Sequence, residues 1–161
     1  IFVCFVLEHL PNPEEALLKL KQFLKPGGII TVIEGDHGSC FFTPQSKAAA
    51  RNWQALIDLQ AEIGGDALVG RRLYPLLHQA GFQDIRVTPR VVYSDHSTPH
   101  LQEGFVRRTI IAMVEGVREQ AIEKGILSSE EWEAGIADLH KTGNSPEGTF
   151  FYTFFKGIAK K

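Results

Sequence analysis

A strand–helix–strand pattern at the start of the chain constrains the fold more than any other feature of the sequence. The run Ile1–Leu7 is continuously apolar, which is typical of a strand buried on both faces. Asn12 and Pro13 predict the start of a helix, which Pro26-Gly27-Gly28 ends before a second apolar strand, Ile29–Ile33. Because one helix joins the two strands within about 30 residues, we expect them to be parallel neighbours in a βαβ unit.

The rest of the sequence predicts three more helical regions, a capped helix and two more strands. Apolar periodicity predicts helices at about 44–63, 71–80 and 100–124, and the Ser128/Glu131 capping box predicts another through about Lys141. Alternation predicts a strand at 84–94, and a Phe- and Tyr-rich run predicts the last strand at 149–159. The polar segment from Glu34 to Phe42 predicts a loop. We interpret residues 1–161 as a single partial α/β domain with helical insertions at about 44–63 and 100–141.

Composition narrows the class of protein and of partner. A net charge of −2 over 161 residues gives no reason to expect nucleic acid or an anionic membrane as partner. No apolar run is long enough to span a bilayer, and two cysteines do not form a disulfide framework, so a cytoplasmic setting is expected. The chain opens inside an apolar run and without Met, which we interpret as a start within a larger domain.

Short motifs in the expected order make the chain resemble a known family. Val6-Leu7-Glu8-His9-Leu10, followed by Leu24-Lys25-Pro26-Gly27-Gly28, resembles the middle of class I S-adenosylmethionine-dependent methyltransferases, in the ubiquinone/menaquinone-biosynthesis-like, small-molecule group. Gly70-Arg71-Arg72-Leu73 and Ala80-Gly81-Phe82 resemble the penultimate helix of that group and its turn into strand six. The resemblance implies the C-terminal half of a Rossmann-like sheet, strands 4-5-7-6 of the order 3-2-1-4-5-7-6, with the last strand antiparallel.

The resemblance also defines what to expect of the cofactor. It implies that Cys4, Phe5, Val6 and Leu7 line S-adenosylmethionine, and that a small molecule accepts the methyl group. The glycine-rich loop after strand one and the acidic residue that ends strand two are not in this sequence. We therefore expect the isolated chain to bind S-adenosylmethionine weakly or not at all, and to be inactive on its own.

Polar side chains follow both early strands, where open α/β sheets bind their ligands. His9 is a candidate general base because histidine titrates near neutral pH. Asp36 and His37 are candidates to hold the proton of an attacking group, and Glu8 and Glu34 to contact the substrate. A surface loop or a helix cap would explain the same residues without function. Many methyltransferases of this type need no base, since positioning in a closed site supplies most of the catalysis.

Two further groups of residues have weaker functional interpretations. Arg71 and Arg72 could bind an acidic substrate group, although a structural salt bridge explains them more simply. Asp95, His96 and His100 suggest a metal at first sight, but no third well-spaced ligand or cysteine pair supports one, so no metal is predicted.

Two other classes of protein are considered beside the enzyme. The fragment could be a non-catalytic interaction module that oligomerises through an exposed strand edge across Ile1–Val6, as a homodimer or a larger assembly. Half of a nicotinamide dehydrogenase fits less well, because the sequence contains no dehydrogenase catalytic set. The sequence does not show whether oxygen, nitrogen, carbon or sulfur is methylated.

Overall fold

The computed structural model describes all 161 residues and contains one four-stranded sheet. Its strands, in the sheet order β1-β2-β4-β3, are β1 (Phe2–Cys4), β2 (Ile29–Thr43), β4 (Thr149–Lys160) and β3 (Gln83–Ser94). β1 pairs in parallel with β2, with Phe2 opposite Thr31 and Cys4 opposite Ile33. The parallel pair predicted from the βαβ pattern is thereby confirmed.

The last strand runs against its two neighbours. The amide of Lys161, just after β4, donates to the carbonyl of Gly28, just before β2, at 2.9 Å. Further along, the amide of Thr153 in β4 donates to Oγ of Ser39 in β2 at 3.0 Å, so the two strands run in opposite directions. At the other side of β4, Lys160 forms an ion pair with Asp84 at the start of β3. A Cβ on Gly157, three residues earlier in β4, would lie 3.7 Å from Val87, three residues later in β3, so these strands also run in opposite directions. The strand order 4-5-7-6 and the antiparallel last strand, expected from the resemblance, are confirmed.

Seven α-helices and three other helical segments connect or follow these strands. The α-helices are α1 (Pro13–Phe23), α2 (Lys47–Glu62), α3 (Leu73–Gln79), α4 (Pro99–Leu101), α5 (Ala112–Glu115), α6 (Arg118–Glu123) and α7 (Ser129–Asn144). Short 3₁₀ helices cover Leu7–His9 and Val69–Arg72, and a π-helix covers Gln102–Ile111. None of the helices combines the length and the apolar composition that a membrane span requires.

Two of the predicted element boundaries are wrong. The segment Glu34 to Phe42 is not a loop, because β2 continues to Thr43 beside the long β4 and its polar residues take part in the sheet. The predicted helix at 100–124 is divided, with a π-helical part and a break at Gly116 and Val117. In the π-helical part the Thr109 hydroxyl donates to the carbonyl of Gly104, five residues earlier, which accompanies the wider turn.

The chain folds into two compact units. Unit 1 comprises Ile1–Ser39, Gln60–Val91 and Thr153–Lys161, and unit 2 comprises Cys40–Leu59 and Val92–Tyr152. In unit 1 the helices α1 and α3 pack on one face of the parallel strands and bury it. The fully buried side chains of this core include Leu17, Ile30, Val32, Leu73 and Leu77.

Unit 2 has an aromatic core of its own. Trp132, Phe150 and Tyr152 are almost completely buried, and the ring of Trp53 meets that of Tyr152 edge-on at 6.4 Å. The predicted capping box is confirmed, since Ser128 Oγ accepts from the amide of Glu131 and the Glu131 carboxylate accepts from the amide of Ser128. This cap fixes the start of α7, which contributes Trp132 to the core.

Candidate functional site

A buried carboxylate on β2 holds the chain where it leaves β1. Oε1 of Glu34 accepts hydrogen bonds from the amides of Val6 and Leu7 at 3.1 and 2.9 Å. The Glu34 side chain is completely buried, and this burial raises its pKa, although the amide donors act in the opposite direction. Glu34 therefore fixes the turn that follows the parallel pair, and the turn carries Glu8 and His9.

Glu8 and His9 lie together at this turn but differ in their exposure. Glu8 is 7% exposed, and burial raises the pKa of its carboxyl group. Its main-chain carbonyl accepts from the side-chain amide of Gln60 at 3.0 Å and from the backbone amide of Asp66 at 2.8 Å. The Nε2 atom of His9 lies 3.5 Å from Glu8 Oε1, and the His9 side chain is 63% exposed. The imidazole is thus accessible, and the main chain of Glu8 beside it is held by two hydrogen bonds.

Asp36 is engaged by an arginine from a different part of unit 1. Arg71 binds it through two parallel hydrogen bonds, Nε to Oδ2 at 2.9 Å and Nη2 to Oδ1 at 2.7 Å. Oδ1 also accepts from the amide of Gly38, and the Asp36 side chain is nearly buried. The hydrogen bond to Asp36 raises the pKa of the Arg71 guanidinium. Asp36 and Arg71 therefore neutralise each other, as the salt-bridge interpretation of Arg71 expected.

His37 is buried next to this ion pair. Desolvation by burial lowers the pKa of His37 to about 4, so the imidazole is neutral at physiological pH. The backbone amide of His37 donates to the carbonyl of Ala67 at 2.9 Å, which joins β2 to the segment before the second 3₁₀ helix. A neutral imidazole in this position can orient a hydrogen-bonding partner but does not carry a charge.

The four residues expected to line the cofactor differ among themselves. Leu7 is completely buried in the core of unit 1, and burial raises the pKa of the Cys4 thiol. Phe5 and Val6 are 42% and 44% exposed. Phe5 also has a φ of +52°, in the left-handed region that a bulky side chain rarely adopts. The accessible part of this segment is therefore Phe5–Val6.

The structure brings the predicted residues together in two groups rather than one. Glu8, His9 and Glu34 surround the turn after β1, whereas Asp36 binds Arg71 further along β2. Arg72 contributes to neither group, because its guanidinium pairs with Asp66 at 2.6 Å. All of these residues lie in unit 1.

Two glycines determine how closely these segments approach: Gly70, which belongs to the motif Gly70-Arg71-Arg72-Leu73, and Gly38, which the sequence interpretation passed over. A Cβ on Gly70 would lie 2.6 Å from the carbonyl oxygen of Gly35, so only glycine allows the 3₁₀ helix to pack on β2 there. A Cβ on Gly38 would collide with the guanidinium of Arg71. The motif Gly70-Arg71-Arg72 was a sequence signal for the close contact between Gly70 and β2. No sequence signal indicated the contact between Gly38 and Arg71.

Unit 2 has a separate groove of about 450 Å³, formed by the end of β2 and the start of α2. Its lining residues are Cys40, Phe41, Phe42, Gln45, Ser46, Lys47 and Ala50. Burial strongly raises the pKa of the Cys40 thiol, so the thiolate required of a nucleophile is disfavoured. The groove offers apolar surface, the Ser46 hydroxyl and the Lys47 ammonium group, and its thiol is not activated as a nucleophile.

Comparison with known proteins adds similarities of overall architecture. No protein-family model matches the chain, and no curated protein is similar to it in sequence. Phosphoethanolamine N-methyltransferase 2 of Haemonchus contortus, solved with S-adenosyl-L-methionine, is 15% identical over 99% of this chain and 32% of its own, with a TM-score of 0.48. A Bacillus halodurans protein described as a methyltransferase is 12% identical over 99% of this chain and 68% of its own, with a TM-score of 0.47.

A third solved structure of similar architecture has a different named activity. The [4+2]-cyclase SpnF is 15% identical over 99% of this chain and 49% of its own, with a TM-score of 0.42. The chain thus spans about a third of the Haemonchus contortus enzyme and about half of the cyclase. At these identities and TM-scores the similarities assign neither an activity nor a substrate to this chain. Its strand order is the one expected from the sequence resemblance to class I methyltransferases.

Proposed function

We propose that this chain supplies the acceptor side of an S-adenosylmethionine-dependent methyltransferase acting on a small molecule. The observation that supports this most directly is the cluster of Glu8, His9 and Glu34 where the parallel pairing of β1 and β2 ends. Ligands of open α/β sheets bind at this position, outside the carboxyl ends of parallel strands. The sheet order, with its antiparallel last strand, is the framework that the sequence resemblance implies for this activity.

Residues of the turn after β1 and of β2 would contact different parts of the cofactor and of the methyl acceptor. The exposed side chain of Val6 offers apolar surface for the adenine ring of the cofactor, because ligand sites combine apolar surface with a few polar groups. When bound, S-adenosylmethionine supplies a methyl group activated by its sulfonium. The Glu8–His9 pair is placed to take a proton from the acceptor. Neutral His37 and the Asp36–Arg71 pair tie β2 to the segment around Ala67–Arg71. Positioning of the acceptor would provide most of the rate enhancement.

Cofactor titration of two polypeptides tests this proposal. The first is the 161-residue chain, and the second is any longer polypeptide that the same gene encodes. Calorimetry should detect S-adenosylmethionine binding by the longer polypeptide, and weaker or no binding by the shorter one. Amide chemical shifts of Cys4–Leu7 should change where binding is observed. Absence of binding by both polypeptides would overturn the methyltransferase proposal.

A second candidate function is an interaction module that pairs through β1. β1 lies at an edge of the sheet. Phe2 in this strand is 64% exposed, and Val6, just after the strand, is 44% exposed. Apolar edge strands with free backbone groups recruit other strands. A second copy of this chain is the simplest partner for this edge, and the resulting homodimer is a proposal that sedimentation can test.

A further inference from the structure

Glu8 and Glu34 form an unusual pair, because each buries a carboxyl oxygen that has no hydrogen-bond partner in the protein. Glu34 is 0% exposed and uses only Oε1 for the amides of Val6 and Leu7, which leaves Oε2 without a partner. Glu8 is 7% exposed, and its Oε2 is likewise buried and unpaired. Buried polar atoms are nearly always hydrogen-bonded, so an unpaired one in a native protein calls for an explanation.

The charges around this pair do not balance within the protein. Glu34 raises the pKa of Glu8 by charge repulsion, which adds to the effect of burial. His9 is the basic group that acts on both carboxyls, but its ring is 63% exposed and 3.5 Å from Glu8. Arg71 and Arg72 are engaged with Asp36 and Asp66. The side chain of Gln60 also hydrogen-bonds the Glu8 carboxyl. A cation brought by a ligand would therefore compete with one neutral donor and one exposed imidazole.

An aromatic ring lies on the same turn as these carboxyls. Phe5 immediately precedes Val6 and Leu7, whose amides bind Glu34, and its backbone has a φ of +52°. Strained conformations of this kind cluster at ligand-binding sites. The Phe5 ring is 42% exposed and lies 5.2 Å from the ring of Phe154, in a tilted arrangement. Aromatic faces attract organic cations, which are the same ligands that the carboxyl pair favours.

We propose that Glu8, Glu34 and Phe5 bind the ammonium group of an amine, and that an amine is the methyl acceptor. The inference rests on the proposed methyltransferase function and specifies the class of its substrate. It favours an amine over a carboxylate or a phosphate, since an anion would be repelled by both carboxyl groups. Glu34 is fixed by the backbone amides, so Glu8 is the member of the pair that can change its hydrogen bonding.

The same arrangement accounts for the proton that must leave before methylation. An ammonium nitrogen has no lone pair, so it first transfers a proton to the Glu8 carboxylate. The free amine nitrogen then forms its bond to the methyl carbon while the bond from that carbon to sulfur breaks. The bonding electron pair stays on sulfur, which becomes the neutral thioether of S-adenosylhomocysteine. The nitrogen has then given its lone pair to the methyl carbon, so a primary amine becomes a secondary ammonium ion directly, and Glu8 releases its proton to solvent.

The binding step can be tested on the 161-residue chain without any cofactor. Propylammonium chloride is titrated at constant ionic strength while the side-chain carboxyl carbons are followed by NMR. We expect saturable shifts of the Glu8 and Glu34 carboxyl signals, with a dissociation constant on the order of millimolar for so small a ligand. Propanol and propionate, which match the shape of the probe but lack its charge, should produce no such shifts.

Variants distinguish the site from a general attraction of cations. Glu8→Gln should weaken propylammonium binding roughly ten-fold and Phe5→Leu by a smaller factor. Glu14→Gln, which alters an exposed carboxylate on α1, is the matched control and should bind as the unmodified chain does. Glu34→Gln could disturb the turn, so its amide spectrum is compared first, and Glu8→Gln is the decisive variant.

Each outcome bears on the inference in a defined direction. Equal shifts with propylammonium and propanol, or full binding by Glu8→Gln, would overturn it. So would carboxyl signals that show one proton shared by Glu8 and Glu34 and that do not respond to the amine. Because the readout requires no methyl transfer, these results leave the methyltransferase proposal standing. Conversely, a failure to bind S-adenosylmethionine would not change a positive amine titration.

Discussion

Arg71 binds both carboxylate oxygens of Asp36, although 35 positions separate the two residues in the sequence. The carboxylate is 5% exposed and the guanidinium 48%, so solvent screens part of the interaction. The planar, bidentate geometry is one that lysine does not reproduce. The pair joins the 3₁₀ helix Val69–Arg72 to β2 and thereby supports the candidate site from behind.

Removal of Arg71 should destabilise unit 1 because it leaves the Asp36 carboxylate buried and without its ionic partner. We expect Arg71→Ala to lower the free energy of unfolding by about 1–3 kcal/mol, with partial recovery in Arg71→Lys. Urea denaturation measures the change. Arg72→Ala is the matched control, since its pair with Asp66 is more exposed and should be worth less than about 1 kcal/mol. Equal losses in the two variants would contradict this interpretation.

Acidification should destabilise the protein through His37. Its pKa is lowered from 6.5 to about 4 in the folded state, so the folded protein disfavours the imidazolium. This contribution to stability is fully present above pH 6.5 and is lost as the pH falls through about 4, by up to roughly 3 kcal/mol. In His37→Gln the free energy of unfolding should fall less between pH 6.5 and pH 4 than it does in the unmodified chain. An unchanged slope in that variant would show that another group is responsible.

Glu8 contributes with the opposite dependence on pH. Burial raises its folded pKa above the unfolded value of 4.5, so the folded protein prefers the protonated carboxyl. This contribution is present below pH 4.5 and is lost as the pH rises through the folded pKa. The free energy of unfolding of Glu8→Gln, relative to that of the unmodified chain, should therefore be higher at neutral pH than at pH 4.5. Glu14→Gln, on the exposed surface of α1, should show no such crossover.

The exposed edge of the sheet predicts self-association. Phe2 is 64% exposed on β1, and a lysine there should disfavour strand pairing through its charge. We expect sedimentation velocity to show a concentration-dependent dimer for the unmodified chain and a shift to monomer for Phe2→Lys. Phe23→Lys is the matched control, because Phe23 is 82% exposed but lies on α1. A loss of the dimer in both variants would indicate non-specific hydrophobic association instead.

The cap of α7 provides a stability prediction for unit 2. Ser128→Ala removes the hydroxyl that accepts the amide of Glu131 at 3.1 Å, and should lower the free energy of unfolding by about 1 kcal/mol. Ser129→Ala changes the next residue without removing the cap and should have a much smaller effect. Thermal unfolding followed by near-ultraviolet circular dichroism, which reports on Trp132, measures both. A cap that contributes little would leave the two variants indistinguishable.

The framework of the fold was predictable because its signals are local. Apolar runs and the Asn12-Pro13 start define the βαβ unit, and Ser128 with Glu131 defines the start of α7. The continuation of β2 through Glu34–Phe42 was not predictable from local composition. Its polar and glycine residues resemble those of a loop, and they become a strand only because β4 lies beside them, more than a hundred residues later in the chain.

Prediction of the candidate site was limited by the same difference between local and distant signals. Glu8 and His9 are neighbours in sequence, so their association at one turn could be anticipated. The attachment of Glu34 to the amides of Val6 and Leu7 follows from the parallel register of β1 and β2, which places Cys4 opposite Ile33. The choice between Arg71 and Arg72 depends on the direction in which the 3₁₀ helix presents each side chain, and the sequence gives no sign of it.

The attachment of Glu34 to the turn after β1 acts as a non-covalent cross-link between two segments 27 residues apart. An amide held by a fully buried acceptor exchanges its proton with solvent only when the surrounding structure opens. Hydrogen exchange at Leu7 would therefore report the opening of the parallel strands themselves rather than fraying of the chain terminus. A ligand that engages the Glu34 carboxylate would alter that exchange rate at a backbone atom it does not touch.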